Sequence, residues 1–97
     1  MNLGVEDALE SVNDRESFIF FLKVLSADRA DEVKKETTQP SSPFGPGANG
    51  WENGSIESFL DAAAAWAEDA REGPFWKWPE NPWKQCAKIL YMGKHYE

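Results

Sequence analysis

Ile56, Phe59, Leu60, Ala63, Trp66 and Ala67 recur at the i, i+3, i+4, i+7 spacing that stacks side chains along one face of an α-helix. This stripe constrains the fold more tightly than anything else in the chain. It has a start and a stop. Ser55 stands where an N-cap belongs, and Glu57 lies in the first turn, where negative charge suits the helix dipole. Gly73 followed by Pro74 cannot continue a helix. Ala62 to Ala65 raise helix propensity and leave room for a second helix to come close. A helix with so broad an apolar stripe needs other elements to cover it.

The rest of the chain supplies further helices. Val5, Ala8, Leu9 and Val12 repeat the same spacing and predict a short helix over about residues 4–11. Asn13 or Asp14 then caps a second helix, with Glu16 placed three residues after Asn13 as in a capping box. Its expected buried stripe is Phe18, Phe21, Leu22 and Leu25, widened by Ile19 and Val24. Residues 27–36, ADRADEVKKE, can continue this helix to about Lys35, but they hold Val33 as their only strong apolar side chain and are expected to project or fray. Residues 37–50, TTQPSSPFGPGANG, have three prolines and three glycines without periodicity, and read as a loop or flexible linker whose Phe44 docks loosely on the core. Asn81-Pro82 opens a last helix, with Pro at the first helical position. Its apolar face is Trp83, Cys86, Ala87, Leu90 and Tyr91, and Gly93 marks its end. Trp66 and Trp83 are expected in the core, Trp51 folded back over it, and Cys86 buried as a small hydrophobe. No stretch alternates as a strand. The fold class is therefore all-α: a small helical bundle of three main helices plus a short N-terminal helix, with a long Pro/Gly loop, in a single domain over residues 1–97.

Composition limits function more than it specifies it. The 97 residues are 41% hydrophobic and 28% charged, the balance of a globular domain. No apolar run, Phe18 to Leu22 included, approaches the roughly 20 residues that span a bilayer. No secretory leader is read at the N-terminus, and the lone Cys86 suits a reducing compartment, so a cytoplasmic setting is expected. The net charge of −7 opposes binding to nucleic acid or anionic lipid, which require a cationic footprint. Residues 51–72 concentrate the acid, with six carboxylates against Arg71 alone. Such charge either serves solubility or matches a basic protein partner.

Two groups of residues are candidates for that partner's site. The first is GPFWKWPENPWK, residues 73–84. Trp76 and Trp78 alternate around Lys77 between prolines, so no helix face claims both, and Phe75 precedes them. They are either an aromatic lid on the bundle or an exposed anchor, tryptophan being enriched at interface hot spots. The second group is the carboxylates Glu57, Asp61, Glu68, Asp69 and Glu72. Glu57 with Asp61, and Glu68 with Glu72, sit at i, i+4. Paired carboxylates serve acid/base or metal chemistry only with suitable neighbours, and none is in reach. The bland alternative is a solvated acidic face. His95 is the only histidine, too few for a histidine-based metal site, and is expected to be exposed near a helix end. Neither a catalytic set nor a cofactor or metal site is expected.

Trp51-Glu52-Asn53, Phe59-Leu60, Ala65-Trp66 with Asp69, Pro82-Trp83, Ala87, Ile89-Leu90 and Tyr96-Glu97 resemble a family of small acidic bacterial proteins classed only as a domain of unknown function. Arg15-Glu16-Ser17-Phe18 with Phe21-Leu22 is similar to that family's second helix. The resemblance leaves out residues 37–50, which look like an insertion, and Phe75 to Trp78. It implies a small helical domain found in bacteria and supplies no activity or site residues.

The expected function is a non-catalytic acidic protein-binding module. Its sharpest form is an inhibitor or immunity protein for a basic partner such as a nuclease toxin, steered by the carboxylates of residues 57–72 and anchored by Trp76 and Trp78. The alternatives are a structural subunit or homodimer, and a small-ligand binder using the Trp76/Trp78 segment.

Overall fold

The structure, a computed structural model, describes residues 4–39, 49–72 and 79–96. Four helices follow one another: α1 (Val5–Glu10), α2 (Arg15–Thr38), α3 (Ile56–Glu72) and α4 (Pro82–Gly93), with no strand among the described residues. The all-α class and the four-helix order are as expected from the sequence.

α4 is the hub, packing against α3, α2 and α1, while α1 also lies on α2. Val5, Ala8, Leu9 and Val12 of α1 and its exit meet Phe21 and Leu25 of α2, Ala87 of α4 and Trp51 in one buried cluster. Phe18, Val24, Phe59, Leu90 and Tyr91 close its edges. α1 is too short to persist alone, so it is the burial of these apolar side chains that holds it helical.

The helix ends explain where each element begins. α2 starts one residue later than the Asn13–Glu16 pairing predicts. Asp14 is its cap, accepting the Ser17 amide (2.8 Å), while the Ser17 hydroxyl accepts the Asp14 amide (3.1 Å), a reciprocal box built with serine in place of glutamate. Ser55 caps α3 in the same manner, accepting the Ser58 amide at 3.1 Å. Asn81 caps α4 by accepting the Trp83 and Lys84 amides, and its side-chain amide donates to the Asn13 carbonyl (2.7 Å). Lys84 reaches the Glu10 carbonyl (2.9 Å). The start of α4 is thereby tied to both ends of the α1–α2 turn.

Several expectations are corrected. α2 runs three residues beyond the expected Lys35, to Thr38, and its second half is anchored rather than projecting or frayed, with Glu32 in that stretch 1% exposed. Leu22 and Val33 are exposed, as are Ile56 and Leu60. Trp83 is only partly shielded, lying against the Phe18 ring (centroids 5.6 Å apart) with 37% of its surface open, and Cys86 beside it is an exposed free thiol. A helix that contacts its neighbours through one edge leaves the far flank of a broad stripe in solvent. Conversely, His95 is half-buried, edge-on to the Tyr91 ring at 5.1 Å, because α4 ends against α1 rather than in solvent. Phe44 lies outside the described residues, as does most of the loop expected at 37–50.

Candidate functional site

The connection from α2 to α3 is fixed by a polar clasp that no apolar periodicity announces. The Glu32 carboxylate accepts the backbone N–H groups of Asn49 (3.0 Å) and Trp51 (3.1 Å) at Oε1, and Arg29 donates to Oε2 at 2.6 Å. Between the two amides Gly50 adopts φ of 85°, a left-handed conformation open to glycine, so both N–H groups can converge on one oxygen. One turn earlier, Asp28 Oδ2 accepts the Trp51 indole N–H (2.8 Å) and the Lys94 ammonium (2.7 Å). Arg29 and Lys94 both lie over the Trp51 ring, at 5.7 and 5.6 Å from its centroid. Glu52 then donates its amide to the Lys94 carbonyl, and Asn53 Nδ2 donates to the carbonyls of Gly93 and Tyr96. Trp51-Glu52-Asn53 thus joins the middle of α2 to the end of α4, and α3 must depart from that junction.

α3 then lies along α4. Ala63 is buried at the crossing, and a Cβ on Gly93 would sit 2.8 Å from the Phe59 carbonyl oxygen and 3.0 Å from the Ala63 Cβ. Only glycine permits that approach. Phe59 packs on Trp51 with centroids 5.7 Å apart, and the Tyr96 hydroxyl donates to Asp69. Among the described residues α4 is the only helix packed on α3. One flank of α3 is therefore buried, and among the described residues no helix covers the opposite flank.

That outer flank is two-toned. Ile56 (78% exposed), Leu60 (53%) and exposed Ala64 form one i+4 row. Exposed Glu68 continues that row, and exposed Glu57 and Asp61 open the row beside it, followed by Ala65 and Asp69. Among the described residues none makes a hydrogen bond or ion pair with Glu57, Asp61 or Glu68. Asp69 is different: it is engaged by Tyr96, whose hydroxyl pKa is raised chiefly by that hydrogen bond.

The structure accordingly brings together three of the expected partner residues, Glu57, Asp61 and Glu68, and assigns Asp69 to the α3–α4 junction. Glu72 ends α3, and its side chain lies outside the described residues, as do Phe75, Trp76 and Trp78. Ile56 and Leu60 were missed as surface residues. The available signal was the width of the stripe, too broad for a single neighbouring helix.

The other features offer less chemistry. A shallow groove of about 270 Å³ is lined by Leu9, Glu10, Pro79, Lys84 and Lys88. Lys84 is spent on the Glu10 carbonyl, and Lys88 lies over the Tyr91 ring at 5.5 Å. The Tyr91 hydroxyl donates to Glu6 (3.0 Å), and burial together with that carboxylate pushes its pKa up to about 12. Burial, with Lys94 and Lys88 nearby, lowers the His95 pKa and favours the neutral ring. No group of three or more His, Cys, Asp or Glu among the described residues is placed to hold a metal ion, and no described helix is long and apolar enough to cross a membrane.

The sequence profile of a family of unknown function, DUF7660, matches residues 14–97. No curated protein and no solved structure matches the chain.

Proposed function

The chain belongs to this family of unknown function, and we propose that it is a non-catalytic protein-binding module whose working surface is the outer flank of α3. The observation that carries this is the exposure of Ile56 and Leu60 beside Glu57 and Asp61, with Glu68 two turns further along the same face, carboxylates with no partner among the described residues. Leaving two large aliphatic side chains in water forgoes about 1.5–3 kcal/mol each, a cost that a covering partner would recover. The flanking carboxylates favour a cationic partner and speed its approach.

In its narrowest form the reading is an inhibitor or immunity protein that covers a basic enzyme such as a nuclease toxin, whose nucleic-acid groove would present the matching charge. The exposed thiol of Cys86 suits a reducing compartment such as the cytoplasm. Self-pairing through this flank would set carboxylate against carboxylate, which disfavours the homodimer alternative at α3.

The test is a titration of the full-length isotope-labelled chain with a leucine/lysine peptide and, separately, with its leucine/glutamate counterpart of equal apolar content. Amide shifts confined to residues 56–69, given by the lysine peptide alone and weakened by salt and by Asp61→Asn with Glu68→Gln, support the reading. Equal response to both peptides, or shifts elsewhere, removes it.

A further inference from the structure

We infer that the occupant of the α3 flank is itself a helix: a cationic amphipathic segment of two to three turns, laid alongside α3 with its large apolar residues over Ala64 and Ala65. The inference rests on the α3 flank being the binding surface, and adds what shape of partner it takes.

The shape follows from three observations. First, the exposed apolar row tapers from Ile56 and Leu60 to Ala64, with Ala65 beside it, so the surface is high at the start of α3 and low four residues on. An i+4 row of this kind is a ridge, and the rows of a second helix fit beside it. Small side chains at the contact let helix axes approach more closely, as Ala63 and Gly93 do where α3 meets α4. Second, every backbone amide and carbonyl in the middle of a helix is already used, so α3 offers no free sheet edge to an extended peptide. Edge pairing, the usual means of gripping an extended chain, is absent here. Third, the carboxylates follow the same turn spacing as the apolar row. Glu57 and Asp61 run parallel to Ile56 and Leu60, and Glu68 follows Ala64 at i+4 on the same face, so a partner matching both the apolar and the acidic residues must repeat apolar and cationic residues with the helical period. A partner alternating with period two would satisfy one row and lose the other.

The experiment uses the full chain and two peptides of identical leucine and lysine composition. One is patterned with the helical period and the other alternates. Binding is followed by amide shifts and by the circular dichroism that each peptide gains. The expected result is at least tenfold tighter binding of the helical pattern at residues 56–69, with a gain of helical signal. An Ala64→Leu, Ala65→Leu variant keeps good helix formers at exposed positions and so keeps the fold, yet raises the low part of the surface. It should lose that preference by about tenfold. Equal affinity of both peptides at α3, or no effect of the double leucine variant, overturns the helical occupant while leaving the binding face in place. Failure of both peptides to shift α3 removes the face itself, and the helical occupant with it.

Discussion

Glu32 is the most deeply buried charge among the described residues, 1% exposed and bound by three donors. A buried carboxylate is tolerable only when such donors replace water, and removing one partner leaves the others unpaired. Glu32→Gln keeps Oε1 for the two loop amides but turns an amide group toward the Arg29 guanidinium. We expect a loss of about 2–4 kcal/mol, read from urea unfolding at neutral pH. A loss below about 0.5 kcal/mol would mean that the backbone bonds alone carry the clasp. Tyr91 gives a pH signature. Its folded pKa of about 12 lies above the ordinary 10, so the fold favours the neutral phenol. That contribution is whole below pH 10 and falls away as pH climbs from 10 toward 12. Stability measured from about pH 9 to about pH 11.5 should therefore decline, and Tyr91→Phe should flatten much of the decline. The slope that persists belongs to Tyr96, whose hydroxyl is held neutral by Asp69. An unchanged slope in the Phe variant would detach Tyr91 from the effect.

Among the elements, the α3–α4 crossing is the most sensitive to a single atom. Alanine at 93 gains helix propensity, about 0.5–1 kcal/mol over glycine, yet its Cβ would meet the Phe59 carbonyl oxygen at 2.8 Å. That oxygen is backbone and moves only if α3 moves. Clash outweighs propensity here, and Gly93→Ala should destabilise by about 1–3 kcal/mol in thermal or urea melts; a stabilised variant would mean that the helices slide apart freely. The helices themselves were legible in the sequence, because Ser55, Asp14, Asn81-Pro82 and the apolar stripes signal starts and faces by local chemistry. The anchoring of the second half of α2 was not. Its anchors, Asp28 and Glu32, are acids at i, i+4 that reach the α2–α3 connection and, from Asp28, Lys94, and a count of apolar residues passes over them. The candidate site was half legible. Glu57, Asp61 and Glu68 share a face by spacing alone, whereas the exposure of Ile56 and Leu60 depends on how many helices pack on α3, a property of the tertiary arrangement.

At the scale of the whole molecule, the family match begins at residue 14, yet half of the buried hydrophobic cluster precedes it. Val5, Ala8, Leu9 and Val12 are each at most 6% exposed, and they share one buried cluster with Phe21 and Leu25 of α2, on which α1 packs. Polar ties act in the same place: Tyr91 to Glu6, Lys84 to the Glu10 carbonyl and Asn81 to the Asn13 carbonyl all join α4 to this first segment. Burying Val5, Leu9 and Val12 is worth about 1.5–3 kcal/mol apiece, against a total of about 5–15 kcal/mol for a typical domain. Losing α1 therefore removes a share comparable to the whole margin, and newly exposes Phe21 and Leu25 besides. A chain shortened to residues 13–97 keeps every family-matched residue and should still lose its cooperative transition. Its far-UV signal would fall and its near-UV tryptophan signal collapse, since Trp51 sits in the same cluster. Were the shortened chain to melt cooperatively within a few degrees of the full one, α1 would be an accessory, and α2, α3 and α4 with the Trp51 clasp would suffice as the folding unit.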